Sequence, residues 1–217
     1  MRAIKGAWWR LIKFGFRLLY NELAFTYDAV SWAVSLGEWR AWQRAALQFL
    51  PPLNAPVLEL AHGTGNLQLE LHAAGIPSLA LDLSPHMSRL AARKLRRANV
   101  PVRLVRARAE QLPFPAQTFA AAISTFPTAF ILAPQTLREV QRVLRAGGRL
   151  IIVPNAVFTG RGAAQRGIEL AYRLTGQRGA PLDVQARFAE AGFQLSFAQV
   201  PARRSVAQVV IAEKPLG

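Results

Sequence analysis

The hydrophobic positions of this chain keep a helical period at its start and alternate between strand-like and helix-like patterns through its middle. Over residues 2–19, Ile4, Trp8, Leu11, Ile12, Gly15, Leu18 and Leu19 fall on one face of a helix. Arg2, Lys5, Lys13 and Arg17 fall on the other, with Arg10 at the flank. Residues 20–50 predict two more helices, broken near Leu36–Gly37 and carrying Trp32, Trp39 and Trp42. Pro51-Pro52 closes that region, and Asn54–Pro56 turns the chain into a strand. Short apolar runs then predict strands at Val57–Leu60, Leu79–Leu83, Val102–Arg106, Ala121–Thr125 and Leu150–Pro154. Between them lie amphipathic helices near Asn66–Ala74, Pro85–Ala98 and Pro134–Leu144. Further on, Gly167–Leu174 reads as a basic helical stretch within the glycine-bounded segment Gly160–Gly179. Asp183–Ala191 reads as a helix, and Phe193–Val200 and Val206–Glu213 as two strands joined through Pro201–Arg204.

Apolar strands separated by amphipathic helices imply an α/β fold: a doubly wound, mostly parallel sheet of seven strands, ending in an antiparallel C-terminal hairpin. A helical N-terminal segment over 1–50 and an α/β domain over 51–217 account for the 217 residues. A hydrophobic fraction of 52% is enough for a sizeable core.

Composition narrows the chemistry. There is no cysteine, which excludes disulfides and thiolate metal sites. The three histidines, His62, His72 and His86, show no HExxH-type spacing, and no metal site is expected. The formal charge of +15 suits a polyanionic partner, either nucleic acid or an anionic membrane; arginine spread over ordinary solvated faces would give the same total. No run reaches the ~20 apolar residues needed to cross a bilayer. Arg10, Lys13 and Arg17 interrupt the early apolar stretch, and no small-residue cleavage site follows it, so a cytoplasmic protein is expected. A basic helix with tryptophans at its margin, as over residues 1–20, is the pattern that lies flat on an anionic membrane surface; a helix packed on the domain is the alternative.

The segment richest in chemistry is Val57-Leu-Glu-Leu-Ala-His-Gly-Thr-Gly-Asn-Leu67. A buried strand runs into a glycine turn, where Gly63 and Gly65 let a ligand approach the backbone and leave helix N–H groups free to donate. The next strand ends in Leu81-Asp82-Leu83-Ser84-Pro85, and an acidic side chain at that place can accept both hydroxyls of an adenosine ribose. Together the two pieces predict a nucleoside-binding crevice. A dinucleotide site wants G-x-G-x-x-G, whose third glycine is missing here, and Glu59 would repel a phosphate. The same glutamate suits the cationic amino group of S-adenosylmethionine (SAM), which carries a sulfonium and no phosphate.

Residues 57–153 resemble the class I SAM-dependent methyltransferases, closest in motifs to the quinone- and phospholipid-methylating group. Val57–Gly65 resembles motif I, and Leu81–Met87 (LDLSPHM) the ribose segment. Ala109–Phe119 (AEQLPFPAQTF) resembles the adenine-side loop, and Leu137–Ile152 (LREVQRVLRAGGRLII) the helix, turn and fifth strand that follow it. Upstream, Tyr27-Asp28-x-x-Ser31-x-x-x-Ser35-Leu36-Gly37-x-x-Arg40 resembles the N-terminal lid of that group. The resemblance implies a Rossmann-like methyltransferase fold with SAM as cofactor. Glu59 and the backbone of Ala61, His62, Gly63 and Gly65 would hold the methionine end, and Asp82 the ribose. Leu83 and Met87 would sandwich the adenine, with Ala109 and Glu110 at its edge. Thr125 and Phe126 would face the methyl group and acceptor, with Tyr27 closing above.

Three positions depart from the pattern. Ala61 replaces the first glycine of motif I, Arg108 stands where many relatives carry an aspartate toward the adenine amino group, and Ala120 replaces a frequent acidic residue. No residue stands out as a catalytic base. The expected activity is methyl transfer to a small, lipophilic, quinone- or phospholipid-like acceptor. A SAM-binding, membrane-associated protein without turnover and an RNA methyltransferase remain as alternatives.

Overall fold

The computed structural model describes residues 27–159 and 184–216. The amphipathic segment 2–19 and the basic stretch 167–174 lie outside the described residues. Two short helices come first, α1 (Tyr27–Val34) and α2 (Trp39–Ala45), separated by a turn in which Leu36 and Gly37 take positive φ. A 3-10 turn over Ala46–Phe49 leads to β1 (Val57–Leu60) and α3 (Asn66–Ala73). Then follow β2 (Ser78–Asp82), α4 (Pro85–Arg97), β3 (Leu104–Arg106) and β4 (Phe119–Thr125). A 3-10 turn at Ala129–Leu132 precedes α5 (Pro134–Val143) and β5 (Leu144–Phe158). The described chain ends with α6 (Val184–Glu190) and the hairpin β6 (Gln194–Pro201) and β7 (Ser205–Glu213).

The seven strands form one sheet in the order β3-β2-β1-β4-β5-β7-β6. The first five run parallel, and β7 inserts antiparallel between β5 and β6. Alternation along the strands divides the core in two. Leu58, Leu60, Ala122, Leu150 and Ile152 face α5 and α6 through Leu137, Val140, Val143 and Phe188. Val57, Ala121, Ile123, Ile151 and Val153 face the opposite layer, where Leu67 and Leu71 of α3 meet Trp42, Ala45 and Ala46. Residues on both sides of Leu50 therefore share one core. Trp42 is 1% exposed, and its Nε1–H donates to Ser205 Oγ at 2.7 Å; Ser205 in turn donates to buried Glu38. That chain of bonds fixes α2 to the start of β7.

Starts and stops follow local chemistry. Proline opens both α4 and α5, where its missing N–H costs nothing, and Ser84 caps α4 by accepting from Met87 N at 3.3 Å. The fifth strand is the largest difference from expectation. It begins at Leu144 instead of Leu150, because Leu144 pairs with Phe119 before a wide bulge, and regular pairing resumes at Arg149. Gly147 turns this bulge at φ +71, and a Cβ on Gly148 would lie 2.8 Å from Arg145 O and 3.0 Å from Ala120 O. The third strand is shorter than expected, since its pairing with β2 begins only at Leu104.

Candidate active site

The strand order reverses at β1: the chain moves to β2 on one side and later to β4 on the other. A crevice opens at such a point outside the C-terminal strand ends, and both candidate segments lie there. Ala61 follows β1 at φ +58, and Gly63 and Gly65 take φ +53 and +80. The glycines differ in what surrounds them. A Cβ on Gly65 would lie 3.0 Å from that of Ala91, so this glycine lets the turn pack on α4; nothing lies within 4 Å of a Cβ on Gly63. Ala61 holds without strain relief the left-handed conformation that a glycine adopts freely.

Asp82 ends β2 at 9% exposure. Its Oδ2 accepts from Gly63 N–H at 2.9 Å and its Oδ1 from Ser84 N–H at 2.8 Å, which locks the two candidate loops together. Each carboxylate oxygen retains a second lone pair. Glu59 points to the α3 layer, where Gln68 Nε2 donates to Oε2 at 2.7 Å and Ser78 donates to Gln68 Oε1 at 3.0 Å. Burial at 1% exposure, with the Asp82 charge adding to it and the Gln68 bond opposing, pushes the Glu59 carboxyl up to about 8.

His62 donates through Nδ1 to Gly63 O at 2.9 Å, the tautomer that a carbonyl partner demands. Its Nε2 is then an acceptor, buried and without a partner. Burial lowers the pKa of this imidazole, which keeps it neutral at pH 7, against the opposing pull of the Asp82 charge. Gln43 of α2 donates to Thr125 Oγ1 at 3.2 Å and leaves its own Oε1 buried and unpartnered. Trp39, Gln43, Ala61, His62, Gly63, Thr64, Asn66 and Thr125 line a cleft at these strand ends. Two orphaned acceptors, open space above Gly63 and the spare lone pairs of Asp82 fit a ligand rich in hydrogen-bond donors, as the amino and ribose groups of SAM are.

The other expected residues divide. Leu83 is 55% exposed, whereas Met87 is 1% exposed, so only Leu83 presents its side chain to solvent. Ala109 is buried at 6%, and Glu110 is ion-paired with the departing Arg108 at 3.2 Å. Phe126, at φ +51, stacks on Trp39 with centroids 4.0 Å apart and tilts against Trp42 at 5.8 Å. It forms an aromatic wall beside Thr125. Tyr27 is the first residue of α1, and its side chain lies outside the described part of the structure.

Two features escape a reading of the motifs alone. The first is a latch: Asp28 Oδ1 accepts from Thr64 Oγ1 at 2.6 Å and Asn66 Nδ2 at 3.0 Å, while Lys94 Nζ reaches Oδ2 at 2.5 Å. It ties α1 to the glycine turn. Burial raises the Asp28 pKa, but the Lys94 and Thr64 bonds outweigh it and hold the carboxyl below its ordinary range. The second is the bonding within the E-x-x-R helix. Glu139 accepts from Leu112 N–H at 2.7 Å, and Arg142 donates to Leu112 O at 3.0 Å and Phe114 O at 2.8 Å, so α5 holds the loop before β4 by its backbone.

The strand order and the crevice at its reversal point resemble those of the class I methyltransferases. Residues 57–148 match the family model described as a methyltransferase domain. Among curated relatives, a ubiquinone/menaquinone biosynthesis C-methyltransferase of Syntrophotalea carbinolica is 37% identical over 142 residues, covering 63% of this chain and 60% of that protein. A demethylmenaquinone methyltransferase of Thermus thermophilus is 34% identical over 139 residues, covering 62% and 63%. The chain thus spans about three fifths of the length of these relatives. Solved structures with the same fold include a putative SAM-dependent methyltransferase of Methanococcus maripaludis, with a TM-score of 0.62, 16% identity and coverage of 88% and 93%. A geranyl diphosphate C-methyltransferase of Streptomyces coelicolor, in complex with S-adenosylhomocysteine, gives a TM-score of 0.61 at 12% identity and covers 80% and 78%. The resemblance to the quinone-methylating group seen in the motifs is borne out by these relatives.

Proposed function

We propose that this chain is a SAM-dependent methyltransferase acting on a small lipophilic acceptor of quinone-like chemistry. The observation that carries the reading is the cleft at the β1–β2–β4 ends, where Asp82 keeps lone pairs free and His62 Nε2 and Gln43 Oε1 lack partners. SAM, when bound, supplies an activated methyl group; the protein's task is to orient the reactants and exclude water. Asp82 accepts from the ribose hydroxyls, and the Ala61, His62, Gly63 and Gly65 backbone cradles the methionine end. An ammonium brought beside Glu59 draws that carboxyl into its ionised form. Leu83 covers the adenine, Met87 supports it from beneath, and Ala109 and Glu110 border its edge. Thr125 and the Trp39–Phe126 wall flank the acceptor, and the N-terminal helices with Tyr27 form the lid.

The relatives named as ubiquinone/menaquinone biosynthesis and demethylmenaquinone methyltransferases support a lipophilic acceptor. Among the described residues no helix is long and apolar enough to cross a membrane. A peripheral protein, reaching the bilayer through residues 1–20, suits that substrate class. The test is transfer of labelled methyl from SAM to demethylated quinones in detergent or vesicles. Label in the quinone fraction supports the proposal. SAM binding without transfer to any quinone, or transfer to RNA instead, overturns it.

A further inference from the structure

Between Leu83 and Ala109 the chain carries eight arginines and lysines and no acidic residue. The structure gathers most of these charges on one side. In α4, Met87, Ala91 and Leu95 are buried, and Arg89, Arg93, Arg96 and Arg97 stand exposed on the opposite stripe. That stripe is roughly 12 Å long at the helical rise per residue. Arg106, exposed at the end of the edge strand β3, adds a further charge beside it. Lys94 is excepted, being drawn to Asp28, and Arg108 is paired with Glu110. An edge strand is commonly guarded by a charge or two; a full helical stripe goes beyond that need.

We propose that this α4–β3 face is a docking surface for anionic lipid headgroups, holding the mouth of the cleft against the bilayer. The inference rests on the lipophilic-acceptor reading above and gives the acceptor a route to the site. Arg106 Nε donates to Leu83 O at 3.2 Å, so the charged face borders the exposed Leu83 at the end of β2. An exposed apolar side chain beside a guanidinium group matches the boundary between headgroups and acyl chains. Residues 83–109 contain no Phe, Trp or Tyr, the stacking platforms that single-stranded nucleic acid uses.

The test is co-sedimentation of the full chain with vesicles of phosphatidylcholine alone and of phosphatidylcholine with phosphatidylglycerol. Each basic residue at an anionic surface contributes roughly fivefold in partitioning. Replacing Arg89, Arg93, Arg96 and Arg97 with glutamine is expected to weaken binding to the anionic vesicles by roughly two orders of magnitude or more. A control variant with glutamine at Arg138, Arg187, Arg203 and Arg204 loses the same charge from other exposed positions and is expected to bind nearly as well. Equal loss in both variants, no loss in the first, or capture by RNA without capture by anionic vesicles overturns the proposal. Titration of each variant with S-adenosylhomocysteine separates the two readings: a failed cofactor site with intact vesicle binding sinks the methyltransferase assignment and leaves this surface standing.

Discussion

Replacing Glu59 with glutamine removes an ionisable group that is 1% exposed while leaving an amide oxygen for Gln68 to donate to. In the native fold the carboxyl is pushed from about 4.5 up to about 8 by burial. The unfolded chain ionises this group near its ordinary value, so between pH 4.5 and 8 the folded state binds a proton that the unfolded state has lost. Native stability therefore falls as the pH rises through that window, by about 1.4 kcal/mol per pH unit. The integrated cost is about 3 kcal/mol at pH 7 and about 5 kcal/mol above pH 8, as upper limits. Glu59→Gln has no such dependence. A domain of this size shifts its melting temperature by roughly 2–4 °C per kcal/mol. The variant is expected to melt roughly 6–12 °C above the wild type at pH 7 and to converge with it near pH 4.5. Thermal unfolding by circular dichroism across that range reads the difference. A variant less stable than wild type by the same amount at every pH would refute the buried, protonated carboxyl.

Other perturbations separate packing from binding. Gly65→Ala meets both a positive φ and the Ala91 contact, and is expected to cost about 2–4 kcal/mol in denaturant unfolding. Gly63→Ala has free space around the new methyl and is expected to cost only about 1 kcal/mol while weakening S-adenosylhomocysteine binding in calorimetry, since the methyl fills the cradle. Ala61→Gly relieves the same backbone conformation and is expected to stabilise by about 1 kcal/mol in the same unfolding assay. Arg142→Ala releases the Leu112 and Phe114 carbonyls and the Glu139 pair, and is expected to cost about 2 kcal/mol, with faster hydrogen exchange in the 108–118 loop. Asp28→Asn breaks the latch. Because the native Asp28 carboxyl titrates below its unfolded value, its contribution is present at neutral pH and lost as the pH falls through the lowered value; the variant should expose α1 to protease at pH 7 and resemble the wild type in acid.

The sheet was legible because its strands are short apolar runs between helices of clear period. Val57–Leu60 coincides in both bounds, and the other strands differ mainly where pairing and not polarity sets the end. Leu144–Gly148 shows why. Arg145 and the two glycines carry no strand pattern, and they are included because Leu144 reaches Phe119 before the bulge. Within the site, Gly63, Gly65 and Asp82 were readable because a tight turn and a strand-end carboxylate need those residue types at that spacing. Met87 was legible by position but not by depth, since burial depends on how α4 rolls against the sheet. The Asp28 latch joins residues separated by 36 to 66 positions, and no periodicity announces such a bond. The Glu139–Arg142 clamp had a partial signal: an acid and an arginine at i and i+3 on one helix face, with nothing in the sequence to tell that the partner is a loop backbone.

Calorimetric titration of the purified chain with S-adenosylhomocysteine, beside an Asp82→Ala variant, reads the crevice itself. Saturable one-to-one binding is expected, and the variant is expected to lose it or weaken it steeply. Proton release near pH 7 is expected as Glu59 ionises, seen as a heat that changes with the buffer. No binding by the intact, folded protein would contradict the claim that this crevice is a SAM site.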